Sequence, residues 1–513
     1  MMPTTGVNGR RIFGLETEYG LIVRDEQGKL LSAPRAAREL FAHGPDFSQQ
    51  SATFLTNGGR LYVDVGAHPE YATAECDTVE ELLAQDLAGD QLLLGLVSEL
   101  KQRQPQWQVS LLRNNLDAAG NSFGCHENYL LRRFQAGRIL TTALTSFLVA
   151  RTALTGAGAV LPVPESQDWR FVISARAEQL TGEYSSGTTQ ERPIVNTRDQ
   201  ALADPGEYQR LHVIAGDTNI SQLSGYLKIG GVLMVLSALE AGISFNDLLL
   251  TEPLTQLRAL SMSANQSLQE RIGHGVAAAS KSLDSSGAES GVNPGFPQSP
   301  QTAFESKPAS HGFLGADFLL TLTSGKELKA SEYLIAIAER CGARKTDWQV
   351  PGLSDPQKFA QLWFSACEQL ADPNGGELLS QLDWVAKAKL LIGSAKRHPS
   401  LTRIEAQRVD FLYHELTASL AAKLHAKGIL PLLIPAGNIR RSLVEAPTET
   451  RANLRSELIA AARQAGRELS VDWFRVALTG GGAAVDLPDP FATNSEQVPR
   501  FLAALNEEPW FPL

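Results

Sequence analysis

The stretch Arg60-Leu61-Tyr62-Val63-Asp64-Val65-Gly66-Ala67-His68-Pro69-Glu70-Tyr71-Ala72-Thr73 constrains this chain more than any other. Its first half alternates. In an extended strand Arg60, Tyr62 and Asp64 point to one face, and Leu61, Val63 and Val65 to the other. The second face is apolar enough to pack on a core. The first carries a cation, a phenol and a carboxylate in a row. Such a row is either the solvated face of an edge strand or one wall of a polar site. Pro69 reads as the end of regular pairing, with Glu70 and Thr73 following within reach.

Arg11 to Val23 also reads as a single strand. Gly14, Glu16, Glu18 and Gly20 share one parity; Phe13, Leu15, Thr17 and Tyr19 share the other. Neighbouring carboxylates on one strand face repel unless a cation or solvent lies between them. A divalent metal is the sharper reading if this strand pairs with Arg60–Val65, and hard oxygen ligands would suit Mg²⁺. A helix-like piece, Pro34 to Phe41, lies between the two strands.

Thr78-Val79-Glu80-Glu81 has the form of a capping box and starts a helix running to about Gln102, with Leu83, Leu87, Leu94 and Val97 on one stripe. A strand at Gln108–Arg113 leads through the polar turn Asn114–Ser122 to a second at Gly124–Leu131. There His126 and Asn128 share one face, and Glu127 and Tyr129 the other. A His beside a Glu outside an HExxH pattern reads as a structural pair. Thr141–Leu154 reads as a buried helix, and Leu223–Ala241 reads as a helix. Phe171–Glu178, Arg192–Asp199 and Arg210–Asp217 read as strands. Arginines on strand faces suit phosphate or carboxylate recognition, since the guanidinium fork binds both oxygens of such an anion; ion pairing is the plainer alternative.

Lys281–Ser310 is rich in Ser, Gly and Pro and is expected to be a disordered insertion. Beyond Ala330 the pattern is mostly helical. One stripe is Phe359, Leu362, Trp363, Ala366 and Leu370. Another is Leu412, Leu416, Leu420 and Leu424, stopped at Gly428. A small final unit, 429–513, is expected to hold a helix from Thr450 to Ala465 and a strand from Leu469 to Leu478 containing Trp473. Residues 1–428 form the expected large domain. Gly480-Gly481-Gly482 lacks the Lys-Ser/Thr of a phosphate loop and reads as a turn.

Composition narrows the function classes. The chain has 513 residues, with 43% apolar and 20% charged content and a formal net charge of −10. That charge argues against nucleic-acid and anionic-membrane partners. The four cysteines are widely spaced with no CxxC pair, and no leader is read, so a reducing cytoplasm is expected. No run of about 18 apolar residues is read, so no membrane-spanning helix is expected. Neither a Gly-x-Ser-x-Gly nor a Rossmann fingerprint occurs.

Three long motifs carry a resemblance: Arg11-Ile12-Phe13-Gly14-Leu15-Glu16-Thr17-Glu18-Tyr19-Gly20, the run from Asn57 to Asp77, and Gly120-Asn121-Ser122-Phe123-Gly124-Cys125-His126-Glu127-Asn128-Tyr129. Together with Arg192–Asp199, Arg210–Asp217 and Val471-Asp472-Trp473, they resemble the Pup ligase/deamidase family over nearly the whole chain. The resemblance implies an α+β, glutamine synthetase-like fold: a curved, mainly antiparallel sheet cradle backed by helices, plus a small C-terminal domain. It implies an ATP-dependent reaction. The side-chain carboxylate of the C-terminal Glu of Pup, a small ubiquitin-like and largely disordered protein, is phosphorylated. A lysine of a target protein then attacks, and an isopeptide bond forms.

The same resemblance implies residue roles. Glu16, Tyr62 and Glu70 match Mg²⁺ ligands. Arg60, Thr73 and Trp473 match ATP contacts. Asp64 matches the catalytic acidic residue, expected to act as general base. Arg192, Arg198 and Arg210 are candidate phosphate or carboxylate clamps. A local apolar and basic groove is expected for an acidic modifier. Asp64–Glu70 and Ala74–Asp77 resemble the ligase wording rather than that of the depupylase, which carries a longer loop between the first two motifs. Ala175, Gln190, Gln200 and Leu202 depart from the family pattern and keep a non-catalytic binding protein as an alternative class.

Overall fold

A computed structural model describes residues 9–42, 52–64, 66–117, 120–133, 137, 144–187, 191–273, 312–398, 401–418, 420–480 and 482–506. The expected insertion at 281–310, together with Val65, Gln190, Gly481 and the 141–143 start of an expected helix, lies outside the described residues. In chain order the first strands are β1 (Phe13–Glu18), β2 (Gly20–Arg24), β3 (Ala52–Phe54), β4 (Arg60–Val63), β5 (Pro69–Ala72), β6 (Gln108–Leu112), β7 (Cys125–Arg132), β8 (Ala159–Pro162), β9 (Trp169–Val172), β10 (Gly182–Ser185), β11 (Pro193–Asn196) and β12 (Tyr208–Val213). Eight of them form one sheet in the order β10-β11-β12-β7-β1-β5-β4-β3. Its pairings are antiparallel apart from β10 with β11.

The alternation in the sequence becomes two faces of this sheet. On one face Phe13, Leu15, Tyr129, Leu131, Leu211 and Val213 are buried. They pack with Phe147 and Leu148 of helix Leu144–Thr155 and with Leu227 and Val232 of helix Gln222–Glu240. Each such side chain removed from water contributes about 1.5–3 kcal/mol. Helix Gln222–Glu240 is long and apolar enough by composition to cross a membrane, contrary to the sequence reading, but it is buried inside the core. Gly230 and Gly231 let the next layer approach it closely. A Cβ on Gly230 would stand 2.3 Å from the Phe359 ring, and one on Gly231 would stand 2.7 Å from the Trp363 ring. A second cluster joins Tyr19, Val23, Leu61 and Tyr71 to Leu93, Leu96 and Val97 of helix Val79–Arg103, which Thr78 caps by accepting from Glu81 N.

Several elements depart from the sequence reading. Arg11–Val23 is two strands, not one. β1 enters the main sheet, whereas β2 pairs with β6. Tyr19 sits between them, its N–H donating to Pro69 O and its hydroxyl to Asp90. Pro69 does not end pairing. It opens β5, opposite Val63, after the Asp64–His68 turn closed by Asp64 N–His68 O and Ala67 N–Asp64 O bonds. Phe171–Glu178 is strand only through Val172. The chain then folds around Asp217, which accepts from Ala157, Ala175 and Arg176 N–H and from the Ser174 hydroxyl. The leucine stripe 412–424 is two helices, Arg403–His414 and Leu420–Ala426. Glu415 is extended between them and bridges Leu112.

Near the C-terminus, helix Arg451–Gln464 begins at its cap Thr450. Leu454 and Leu458 form a separate apolar cluster with Val476, Leu478, Val485 and Phe501. The expected strand 469–478 is a hairpin of Leu469–Val471 and Arg475–Leu478. Trp473 is in its turn, where Asp472 N–H bonds Arg475 O and the Asp472 carboxylate accepts from Phe474 N–H. A short acidic side chain that bonds forward along the backbone favours a turn over continued strand.

Candidate active site

The polar face of the main sheet follows from register. Glu16 lies opposite Ala72 on one side and His126 on the other, and Ala72 lies opposite Arg60. One row along, Glu18 lies opposite Glu70, and Glu70 opposite Tyr62. His212 pairs with Asn128. Directly opposed residues share a face. Five strands from three separate parts of the sequence therefore aim Glu16, Glu18, Arg60, Tyr62, Glu70, His126, Asn128, Arg210 and His212 into one volume.

Two clusters stand out on that face. In the first, Glu16 Oε2 is 3.2 Å from His126 Nδ1 and 3.7 Å from His212 Nε2, and its Oε1 is 3.6 Å from the Arg210 guanidinium. Arg210 also donates to Asn128 Oδ1 at 3.0 Å. The two imidazoles meet edge to face with centroids 5.1 Å apart. In the second, carboxylate oxygens of Glu18, Asp64 and Glu70 lie within 4.8 Å of one another. The Tyr62 hydroxyl donates to Glu70 Oε1.

Charge in the two clusters is split unevenly. Burial raises the Glu16 carboxyl, but hydrogen bonds with His126 and His212 and the charge of Arg210 outweigh it and hold Glu16 well below the usual carboxylate range. Burial, then the charges of Glu16 and Glu18, push Glu70 well up. Burial and the same acidic neighbourhood push the Tyr62 phenol up, so it stays a neutral donor. Burial lowers His212 to about 4, so its ring is uncharged near neutral pH. Crowded carboxyl groups of which one is pushed well up are what a divalent cation would relieve.

Beside the first cluster opens a cleft of about 560 Å³ with the open solvent at its mouth included. Glu16 and Arg210 line one end, and Thr73, Ala74, Leu202, Pro490 and Trp473 line the remainder. Thr73 is buried, its hydroxyl accepting from Leu15 N–H and donating to Ala74 O. Arg60 stands over the rings of Tyr62 and Phe54, at 4.8 and 5.5 Å. Trp473 meets Phe54 edge to face at 5.0 Å.

The residues matched to metal, nucleotide and base thus lie on this face or around this cleft: Glu16, Tyr62 and Glu70 on the sheet, Asp64 after β4, Arg60, Thr73 and Trp473 beside them. Arg210 joins them. Arg192 and Arg198 do not line the cleft, and Arg198 is exposed. The sequence pattern paired Glu18 with Glu16 as carboxylates on one strand face but assigned Glu18 no role in the site. It also misread His126. Glu127 turns to the buried face and bonds Arg151, which leaves His126 to Glu16.

The family described as Pup-ligase protein matches residues 11–286 and 309–477. The chain is 36% identical over 504 residues to a Pup–protein ligase of Acidimicrobium ferrooxidans, covering 97% of this chain and 99% of that one. It is 33% identical to Pup–protein ligase 1 of Rhodococcus erythropolis, covering 97% and 100%. Among solved structures, the complex of the prokaryotic ubiquitin-like protein Pup with its ligase PafA superposes with a TM-score of 0.80 at 28% identity, covering 98% of this chain and 94% of that one. The Pup ligase PafA in complex with ADP gives 0.73 at 29% identity, covering 92% and 93%. The chain belongs to the Pup ligase family.

Proposed function

We propose that this protein is an ATP-dependent Pup–protein ligase that uses Mg²⁺. The observation that carries the reading is the joining of a cleft to a face bearing crowded carboxylates, in a chain matched over nearly its whole length by ligases, one of them solved with ADP and another with Pup. A carboxylate does not condense with an amine in water. Transfer of the γ-phosphoryl group to the terminal glutamate of Pup makes an acyl phosphate. Attack by a lysine amine then forms the isopeptide bond and releases phosphate.

Glu16, Tyr62 and Glu70 would hold the metal. Their donor set fits it: hard oxygens, with surplus acidic charge that, after burial, pushes the Glu70 carboxyl well up. When bound, the cation neutralises charge on the transferring phosphoryl group. Arg60, Thr73 and Trp473 would take the nucleotide. Asp64 would accept the proton of the incoming lysine, whose free pKa of about 10.4 leaves it charged at neutral pH. Its backbone closes the Asp64–His68 turn, with the half-buried side chain beside Glu18 and Glu70. Residues 1–428 and 429–513 would be the two functional units. Four cysteines that are all free and buried support a reducing cytoplasm as the compartment.

Incubation with Pup ending in Glu, a lysine-bearing target and MgATP should give a conjugate and ADP. The Asp64→Asn variant should lose about 10²-fold or more in rate while keeping its fold. Release of Pup from a preformed conjugate, without net ligation, would replace this reading with the depupylase one.

A further inference from the structure

One buried carboxylate gathers two arginines whose other donors reach two residues that line the cleft. Glu75 follows the end of β5 and is 8% exposed. Arg451 and Arg455, one turn apart on helix Arg451–Gln464, both bond it: Arg451 Nε to Oε1 at 2.7 Å, and Arg455 to both oxygens. Their guanidinium groups are nearly or fully buried, so little of this attraction is lost to water.

Each arginine has further donors, and they go to different places. Arg455 donates to Trp473 O and to Gly58 O, both at 2.9 Å, and its Cζ stands 5.2 Å from the Trp473 ring and 5.2 Å from the Phe54 ring. Arg451 donates to Leu487 O at 2.9 Å and to Leu202 O at 2.6 Å. Leu202 has φ of +54°, a conformation that a leucine rarely adopts and that a bond to its own carbonyl helps to keep. Trp473 and Leu202 both line the cleft. An indole and an isobutyl group fit the faces of a flat ring, and a flat ring between them gains by stacking and exclusion of water.

We infer that Glu75, through Arg455 and Arg451, is a positioning residue that sets Trp473 and Leu202 as the two walls of a slot for the purine ring of the nucleotide. The inference rests on the reading of Trp473 as a nucleotide contact. Arg451 also lines the cleft, and neither arginine belongs to the two carboxylate clusters. Their effect is on nucleotide affinity and not on the chemical step.

The test is ADP binding by calorimetry with Mg²⁺ on the full chain, beside steady-state conjugation. Arg455→Lys keeps a charge for Glu75 but loses the fork to Trp473 and Gly58. It should weaken ADP about tenfold or more and raise KM for ATP likewise, with kcat at saturating ATP within about threefold. Leu202→Ala leaves the ion pairs whole and should also weaken ADP, which keeps the proposal testable if the arginine variant does not fold. Glu75→Asp should retain more affinity than Glu75→Ala. If Trp473→Ala leaves ADP affinity unchanged, the nucleotide role of Trp473 fails, and the inference with it. If Trp473→Ala weakens ADP but folded Arg455→Lys and Leu202→Ala do not, the positioning inference alone is overturned.

Discussion

Arg151 grips Glu127 with both arms of its guanidinium, at 2.8 Å each, directly behind the strand face that carries His126 and Asn128. Both side chains are buried, and the Tyr129 hydroxyl completes the carboxylate at 2.7 Å. One strand thereby carries a sealed charge pair on its core side and open site residues on the other. Glu127→Gln strands the Arg151 charge and should lower stability by about 3–5 kcal/mol. Replacing both partners with Met should recover part of that loss. Urea midpoints of the single and double variants check it, and a single variant as stable as the parent would refute it.

The Glu75 carboxylate is held down to about 2. Burial opposes its charge, but Arg455 and then Arg451 outweigh burial. Unfolding returns it to an ordinary carboxylate near 4.5. Its contribution to stability is therefore full above about pH 5 and drains away as the pH falls toward 2. Between pH 5 and pH 3 the parent should lose stability more steeply than Glu75→Gln, and the gap between them should close. Parallel denaturation curves over that range would contradict the assignment.

Gly124 makes room for both clusters. A Cβ there would stand 2.3 Å from His126 Nε2 and 2.9 Å from Glu18 Oε1. Gly124→Ala must push both side chains off their positions. The expected outcome is a folded protein with conjugation slowed about 10²-fold, since displacements near 1 Å at a site cost on that order. A melting curve and a conjugation time course separate this from simple unfolding.

Glu18 was not among the residues matched to the metal, yet its oxygen lies with those of Asp64 and Glu70. Glu18→Gln should raise the Mg²⁺ concentration needed for half-maximal activity by about 10–100-fold, with activity returning at high Mg²⁺. Titration of conjugation rate against Mg²⁺ reads this directly. An unchanged requirement would remove Glu18 from the site.

Local pattern carried the reading wherever one element alone decides the outcome. The alternation of Arg60, Tyr62 and Asp64 against Leu61 and Val63 announced a strand with a polar and an apolar face, since successive side chains must point to opposite sides of a pleat. Apolar content announced helix Gln222–Glu240, and Thr78 announced the start of Val79–Arg103. Where two alternatives were locally close, tertiary contacts chose. Leu412–Leu424 has one helical stripe, yet Glu415 leaves the helix to bridge Leu112. Trp473 sits among strand formers, yet the Asp472 turn takes it out of the strand and toward Phe54.

The long motifs from Arg11 to Tyr129 determined family and reaction class, because they carry the groups that the chemistry requires at spacings a strand or turn can present. What they did not contain is register between distant strands. That Glu16 of β1 meets His126 of β7 and His212 of β12 depends on which strands lie side by side and by how many residues they are offset; that Glu75 gathers Arg451 and Arg455, 376 and 380 residues further on, depends on how their helix packs. A one-residue slip would turn Glu16, His126 or His212 to the other face of the sheet. Burial of the apolar face holds that register, so the packing of the whole core, and no single stretch of sequence, decides which charges meet.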